Sequence, residues 1–176
     1  MKKVAFILLI LATFVSCVRS RRTEQSRMKQ AEFSADVLRN DMSAVKKISG
    51  QLVYMPVYSN VPFQIDTLKF DMSAFVAIHN TDISNPIILT RVLYFNEDGK
   101  LANDYLKNGN LRISPLATKD FYVPYEDQGG TGANFLIEWV ADSLVNEPLM
   151  ESVTMCLKPN NTVAVLSQGK IIREKK

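Results

Sequence analysis

Few groups in this chain could move a proton or hold a metal. His79 is the single histidine. A catalytic triad, an imidazole metal site or an imidazole general base would each have to use it. It closes an alternating stretch, on the face opposite the apolar one, and Asn80-Thr81-Asp82 follow at once. That setting reads as a polar surface residue anchoring a turn. No serine stands in a Gly-x-Ser-x-Gly setting, so the nucleophile elbow of hydrolases is missing. Gly129-Gly130-Thr131-Gly132 has the glycine density of a phosphate cradle, but Ala133-Asn134 and a strand follow. A P-loop needs Gly-Lys-Ser/Thr opening a helix. The acidic candidates for a metal are Asp82, Glu97, Asp98, Glu126 and Asp127, and none has EF-hand spacing. A loop calcium site at Glu126-Asp127 is a minor reading beside the plain one of acidic loop residues. Paired carboxylates for glycoside cleavage need a separation in space that spacing along the chain does not give. Tyr54, Tyr58, Tyr94, Phe95, Phe121, Tyr122 and Tyr125 are numerous enough to line a carbohydrate-binding or protein-binding face, although most such residues serve a core.

The two cysteines have separate fates. Met1-Lys2-Lys3 is a short basic start, and Val4 to Val15 is apolar apart from Thr13. The run is short for a membrane span and right for a signal peptide. It ends in Phe14-Val15-Ser16-Cys17, and small Ser16 before a cysteine resembles a lipoprotein signal. Residues 1–16 are then cleaved, and acylated Cys17 becomes the mature N-terminus and the membrane anchor. That leaves Cys156 alone, with no intramolecular disulfide. Cys156 sits in Val153-Thr154-Met155-Cys156-Leu157 and reads as a small buried hydrophobe.

The elements that must position these groups follow from pattern. Of 176 residues, 47% are hydrophobic and 22% charged, which suits one globular domain. Between 18 and 30, five Lys and Arg face Glu24, so residues 17–30 read as a basic, lipid-anchored stalk. From 31 onward fourteen Lys and Arg face seventeen Asp and Glu, a net −3, which offers no nucleic-acid footprint. Phe33, Val37, Leu38, Met42, Val45 and Ile48 recur at helical spacing, so an amphipathic helix is expected over 31–50, ended by Ser49-Gly50.

Beyond Gly50 the pattern is that of strands. Gln51–Tyr58 is β-rich, with Pro56 directing it to an edge or a bulge. A loop is expected over 59–66, then one long strand from Leu68 to His79 with a wet face, and turn chemistry over 80–86. Ile87–Phe95 is apolar on both faces and reads as interior. Asp98-Gly99 marks a hairpin. A short strand or turn follows at 101–105, then strands at 111–113 and 119–125. Three glycines, read as positions of positive φ, lead into 135–141, where Phe135, Ile137, Trp139 and Ala141 share one face. Strands at 151–157 and 162–171 close the domain, and 173–176 reads as a solvated tail. About eight strands with one N-terminal peripheral helix argue for an all-β, immunoglobulin-like antiparallel sandwich over 51–172.

Three blocks resemble a bacterial family of exported proteins known as domain of unknown function 3124. They are Val53-Tyr54-Met55-Pro56-Val57-Tyr58-Ser59, Ile78-His79-Asn80-Thr81-Asp82, and the specific Gly129-Gly130-Thr131-Gly132-Ala133-Asn134-Phe135-Leu136-Ile137-Glu138-Trp139. The resemblance runs over roughly 51–171. It implies an exported β-domain and supplies no activity, ligand or catalytic residue. The family carries Arg where His79 stands, which weighs further against catalysis by His79.

The expectation is a non-catalytic lipoprotein of the cell envelope, on the outer membrane facing the periplasm in a diderm host. It would bind a protein or an envelope polymer, and no nucleic acid, cofactor, catalytic residue or metal is assigned. Its candidate binding rim is His79, Asn80, Asp82, Glu126, Asp127 and Asn134. The alternative is a periplasmic lipoprotein that binds a small ligand or metal, which requires His79, Asp82 and Glu126 or Asp127 to converge on one pocket. A hydrolase using paired carboxylates is a third, weaker reading.

Overall fold

A computed structural model describes residues 48–175 apart from 64, 108, 126, 159 and 160. The expected signal sequence and stalk, Cys17, Glu126 and all but the last three residues of the expected helix lie outside the described residues. Those three residues are not helical. Ile48 donates its N–H to the Ala141 carbonyl at 2.9 Å, and Ser49 and Gly50 open a strand. Gly50 is not a helix cap. A Cβ there would stand 2.7 Å from the Trp139 carbonyl oxygen, so close lateral packing is what asks for glycine.

The described residues form twelve strands and no helix. They are β1 (Ser49–Pro56), β2 (Asn60–Phe63), β3 (Ile65–Asp71), β4 (Ser73–His79), β5 (Ile87–Phe95), β6 (Leu101–Asp104), β7 (Leu111–Ile113), β8 (Thr118–Val123), β9 (Asn134–Ala141), β10 (Leu149–Lys158), β11 (Asn161–Gln168) and β12 (Lys170–Lys175). One sheet runs β12-β1-β9-β5-β6, with β7 also on β5. A second runs β11-β10-β4-β8, and β2 and β3 pair as a hairpin. Every ladder is antiparallel. Among the described residues, no helix is long and apolar enough to cross a membrane.

The all-β antiparallel expectation holds, and several of its details need correction. The expected loop at 59–66 contains β2 and the start of β3. The expected single strand over 68–79 breaks at Met72, whose buried side chain turns the chain from the hairpin into β4. The strand expected at 162–171 breaks at Gly169, where the chain passes from the four-stranded sheet to the six-stranded one. A Cβ on Gly169 would lie 2.6 Å from Val53 Cγ1, so only glycine passes there without displacing the core. Arg173, Glu174 and Lys175 are not a free tail; they pair with β1 as part of β12. Of the two settings expected for Gln51–Tyr58, an edge or a bulge, the edge fails, while the β1–β12 ladder does shift register between Leu52 and Val53. β1 is interior, between β12 and β9, and Pro56 is tolerated because it is the last residue of β1, past Tyr54, where the ladder to β12 stops.

Trp139 sits where alternation puts it. Phe135, Ile137, Trp139 and Ala141 are all buried on the inner face of β9. They meet Val53 and Met55 of β1, Ile87 and Leu89 of β5, and Ala74, Val76 and Ile78 of β4 in one core between the two sheets. The indole N–H donates to Gln51 Oε1 at 3.2 Å, and Gln51 Nε2 donates to Glu147 Oε1 at 2.8 Å. A buried indole N–H left unpaired would be costly, so Gln51 is the polar price of the Trp core.

Candidate functional site

Strand alternation and register together build an exposed apolar surface. On β4, Ala74, Val76 and Ile78 point into the core, so Ser73, Phe75, Ala77 and His79 take the outer face. Phe75 lies opposite Tyr122 on β8 and Val153 on β10, and Val153 lies opposite Leu166 on β11. Tyr122, Phe75, Val153 and Leu166 therefore form one row across all four strands. Three inter-strand steps of about 4.8 Å make the row roughly 14 Å wide. Tyr122 is 55% exposed, Phe75 38% and Leu166 63%, although each would be stabilised by leaving water. The next row is Asp120, Ala77, Glu151 and Gln168, which puts two carboxylates beside the apolar one. His79 and Thr118 stand in the row beyond, joined from His79 Nδ1 to Thr118 Oγ1 at 2.9 Å. Of the sequence-predicted rim, only His79 belongs to this surface.

Asn80 and Asp82 are spent on holding their own loop. Asn80 Nδ2 donates to the carbonyls of Asn85, Ile113 and Ser114 at 2.9, 3.2 and 3.1 Å. Its Oδ1 accepts from the Asp82 N–H at 3.0 Å. Asp82 Oδ1 accepts from the N–H groups of Ser84 and Asn85 at 2.9 and 2.7 Å, and Oδ2 accepts from that of Asn146 at 3.0 Å. These backbone donors hold the Asp82 carboxyl below the ordinary carboxylate range.

Asp127 does the same work at the other end of the domain. Its Oδ2 accepts from Tyr94 OH at 2.5 Å, Ser59 Oγ at 2.9 Å and the Gly129 N–H at 2.8 Å. The two hydroxyl oxygens lie 2.8 Å apart. Two hydroxyl protons thus serve three contacts. Burial, and then the bond to Asp127, push the Tyr94 phenol far up. Burial also pushes Tyr105 up to about 12. Ser59 and Tyr94 are buried, at 0% and 2% exposure, so a substrate cannot reach this serine and the cluster is a clasp. Asn134 starts β9 beside it, opposite Phe95 and Pro56.

The loop at 80–86 lies near the Ala141 end of β9, since Asp82 holds Asn146 and Ile88 pairs with Val140. Asp127 and Asn134 lie at the Asn134 end. Seven residue steps of about 3.3 Å put these ends roughly 23 Å apart. His79 and Asp82 therefore do not converge with Asp127. Among the described residues, no three His, Cys, Asp or Glu side chains gather where they could hold a metal ion.

The glycine turn divides into three separate requirements. Gly130 alone of its three glycines has positive φ, at 84°. Gly129 is required by space: a Cβ would lie 1.9 Å from Tyr94 OH, 2.7 Å from Ser59 Oγ and 2.8 Å from Asp127 Oδ2. Gly132 has neither constraint, with its nearest contact Glu97 Cβ at 3.6 Å. Glu138, later in the same block, sits opposite Arg91 of β5, with Arg91 Nε to Glu138 Oε2 at 3.5 Å and both side chains 7% exposed. Thr90 Oγ1 donates to that carboxylate at 2.7 Å.

Residues not singled out from sequence are Ser59, the Arg91–Glu138 pairing, and Phe75, Val153 and Leu166 as one row. A lone charge in each of two apolar strands signals the ion pair, but strand order is needed to join them.

The model of a family described as protein of unknown function (DUF3124) matches residues 50–172. No curated protein matches the chain. Among solved structures, the crystal structure of Thermotoga maritima 1070 is similar at TM-score 0.42 and 14% identity, over 68% of this chain and 92% of that one. At that distance the likeness says nothing of what this chain binds.

Proposed function

The chain belongs to the DUF3124 family of proteins of unknown function, and from that premise we propose a non-catalytic interaction module that docks a protein partner on the outer face of its four-stranded sheet. The observation that carries this reading is the row of exposed Tyr122, Phe75 and Leu166 with half-buried Val153 between them. A row with two aromatics and two aliphatics is the composition of an interface centre. Asp120 and Glu151 beside it favour a partner with basic residues bordering its own apolar patch.

The rest of the proposal comes from sequence. The signal-like N-terminus and Cys17 support acylation and attachment to the envelope, with the domain facing the periplasm of a diderm host. The two sheets and their shared core support an immunoglobulin-like sandwich as the finer fold. Asn80, Asp82 and Asp127, first considered as rim residues, serve this reading as scaffolding, because their side chains bond within the domain.

The test is site-specific photo-crosslinking in cells. A photoreactive residue at 166 or 122 is expected to give a discrete protein adduct, and one at the exposed loop residue Leu144 is expected to give none. Adducts at 144 equal to those at 166, or no protein adduct at either face position, would refute the docking role.

A further inference from the structure

An outermost strand presents a row of unpaired N–H and C=O groups, which recruits other strands unless charge, proline or brevity prevents it. Most outer strands of this domain carry such protection. β12 holds Lys170, Arg173 and Glu174, and β8 holds Lys119 and Asp120. β6 and β7 are only four and three residues long, with Asp104 in one and Arg112 in the other. In the hairpin, β2 contains Pro62, and β3 contains Lys69 and Asp71. β11 is the exception. Its eight residues, Asn161 to Gln168, include no charge, no proline and no glycine. Among the described residues it pairs with β10 alone. Val163 on one of its faces is 37% exposed, and Leu166 on the other is 63% exposed.

We infer that β11 pairs antiparallel with β11 of a second copy of this chain about a two-fold axis, joining two four-stranded sheets into one of eight strands. Composition favours the same strand as the partner. Near a two-fold axis each side chain meets its own kind or a close neighbour, so any charge on the strand would face a like charge. A strand made for a foreign segment can keep its charges, matched by opposite ones. β11 has none to match. Register agrees. Paired residues share a face, so self-pairing shifts in steps of two. Leu166 then lies opposite Thr162, Ala164 or Leu166 of the second copy, and Val165 opposite its Val163, Val165 or Ser167. In each case the row Tyr122, Phe75, Val153 and Leu166 runs on across the seam without meeting a charge. The inference does not rest on the docking role proposed above, since it needs only the edge of β11 and no other protein.

The test is sedimentation equilibrium of the purified full chain in a detergent matched to the density of the solvent. The parent is expected to show a dimer mass at about 100 µM. The Ala164→Lys/Leu166→Lys double variant sets a lysine opposite a lysine in all three registers. It is expected to raise the dissociation constant at least about thirtyfold, with the emission of buried Trp139 unchanged. Leu144→Lys, on an exposed loop, is expected to leave the dimer as it was. A monomeric parent would overturn the inference. A dimer that the two lysines leave intact, or that Leu144→Lys weakens equally, would place the contact elsewhere and also overturn it. Should the double variant unfold, hydrogen exchange on the parent decides. The slowest amides of 162–168 are expected to exchange at least about tenfold more slowly at about 200 µM than at about 2 µM, and equal rates would overturn the inference.

Discussion

Replacing Gly129 by Ala tests the clasp directly. The new Cβ would lie 1.9 Å from Tyr94 OH, whereas ordinary contact begins at 3.4 Å, so the phenol must retreat by about 1.5 Å. That retreat breaks its bond to Asp127 and leaves Ser59 and Asp127 to re-pair in a buried site. Overpacking costs about 1–3 kcal/mol. Each disrupted buried hydrogen bond adds about 1–1.5 kcal/mol. Loss of unfolded-state freedom on replacing Gly returns about 0.4–1 kcal/mol. The expected net destabilisation is roughly 3–4 kcal/mol. Urea unfolding followed by Trp139 fluorescence would show a midpoint lowered by about 2 M at an unchanged slope near 1.5–2 kcal/mol/M. Gly132→Ala, with 3.6 Å of clearance, should stay within about 0.5 kcal/mol of the parent. Tyr94→Phe removes the oxygen that the Cβ strikes, at a cost of about 1–3 kcal/mol for its hydrogen bonds. The Tyr94→Phe/Gly129→Ala double variant should then be much less destabilised than the sum of the singles. Equal, small costs for Gly129→Ala and Gly132→Ala, or strict additivity with Tyr94→Phe, would refute the steric account.

Two further outcomes follow from the buried charges and the capped loop. Glu138→Ala strands Arg91 in a buried site and should cost about 3–5 kcal/mol in urea unfolding, while Arg91→Met/Glu138→Leu should recover most of the loss; a mild single variant would mean that water reaches the pair. Asp82 has a depressed folded-state pKa, so the unfolded chain binds its proton more readily. Its contribution is full above the ordinary value of 3.8 and is lost as pH falls through the lower folded value. The parent midpoint should therefore drop more steeply than that of Asp82→Asn between about pH 5 and pH 3, and parallel curves would remove Asp82 from the acid response.

What could be read from the sequence was the part set by single strands. Period-two alternation placed Trp139 and its neighbours in the core, and apolar character on both faces marked β5 as interior. The Asp98-Gly99 hairpin also stands where turn chemistry put it, with Gly99 at φ 73°. What required three dimensions was lateral order. Ser59, Tyr94 and Asp127 are separated by 35 and 33 residues and meet only when β5 and the glycine turn share one end of the domain. Asn80-Asp82 and Asp127 both looked like rim residues because short polar side chains in turns suit binding and loop capping equally well. Arg173-Glu174-Lys175 looked like a tail because an edge strand with one wet side carries the same charges. Glu138 and Gly129 belong to the block that carried the family resemblance, and the structure gives each an architectural reason to be there.

The position of β12 bears on how the domain is made. β1 and β12 are the first and last described strands in sequence, and they are neighbours in one sheet. A chain emerging N-terminus first presents β1 more than a hundred residues before its partner exists. Until residues 170–175 arrive, one side of β1 keeps unpaired N–H and C=O groups that could recruit a foreign strand. Closure of the longest loop in the fold thus comes last, a topology that folds slowly. A chain stopped before Gly169 would leave that edge open permanently, so C-terminal truncation should turn this domain into a template for its own aggregation.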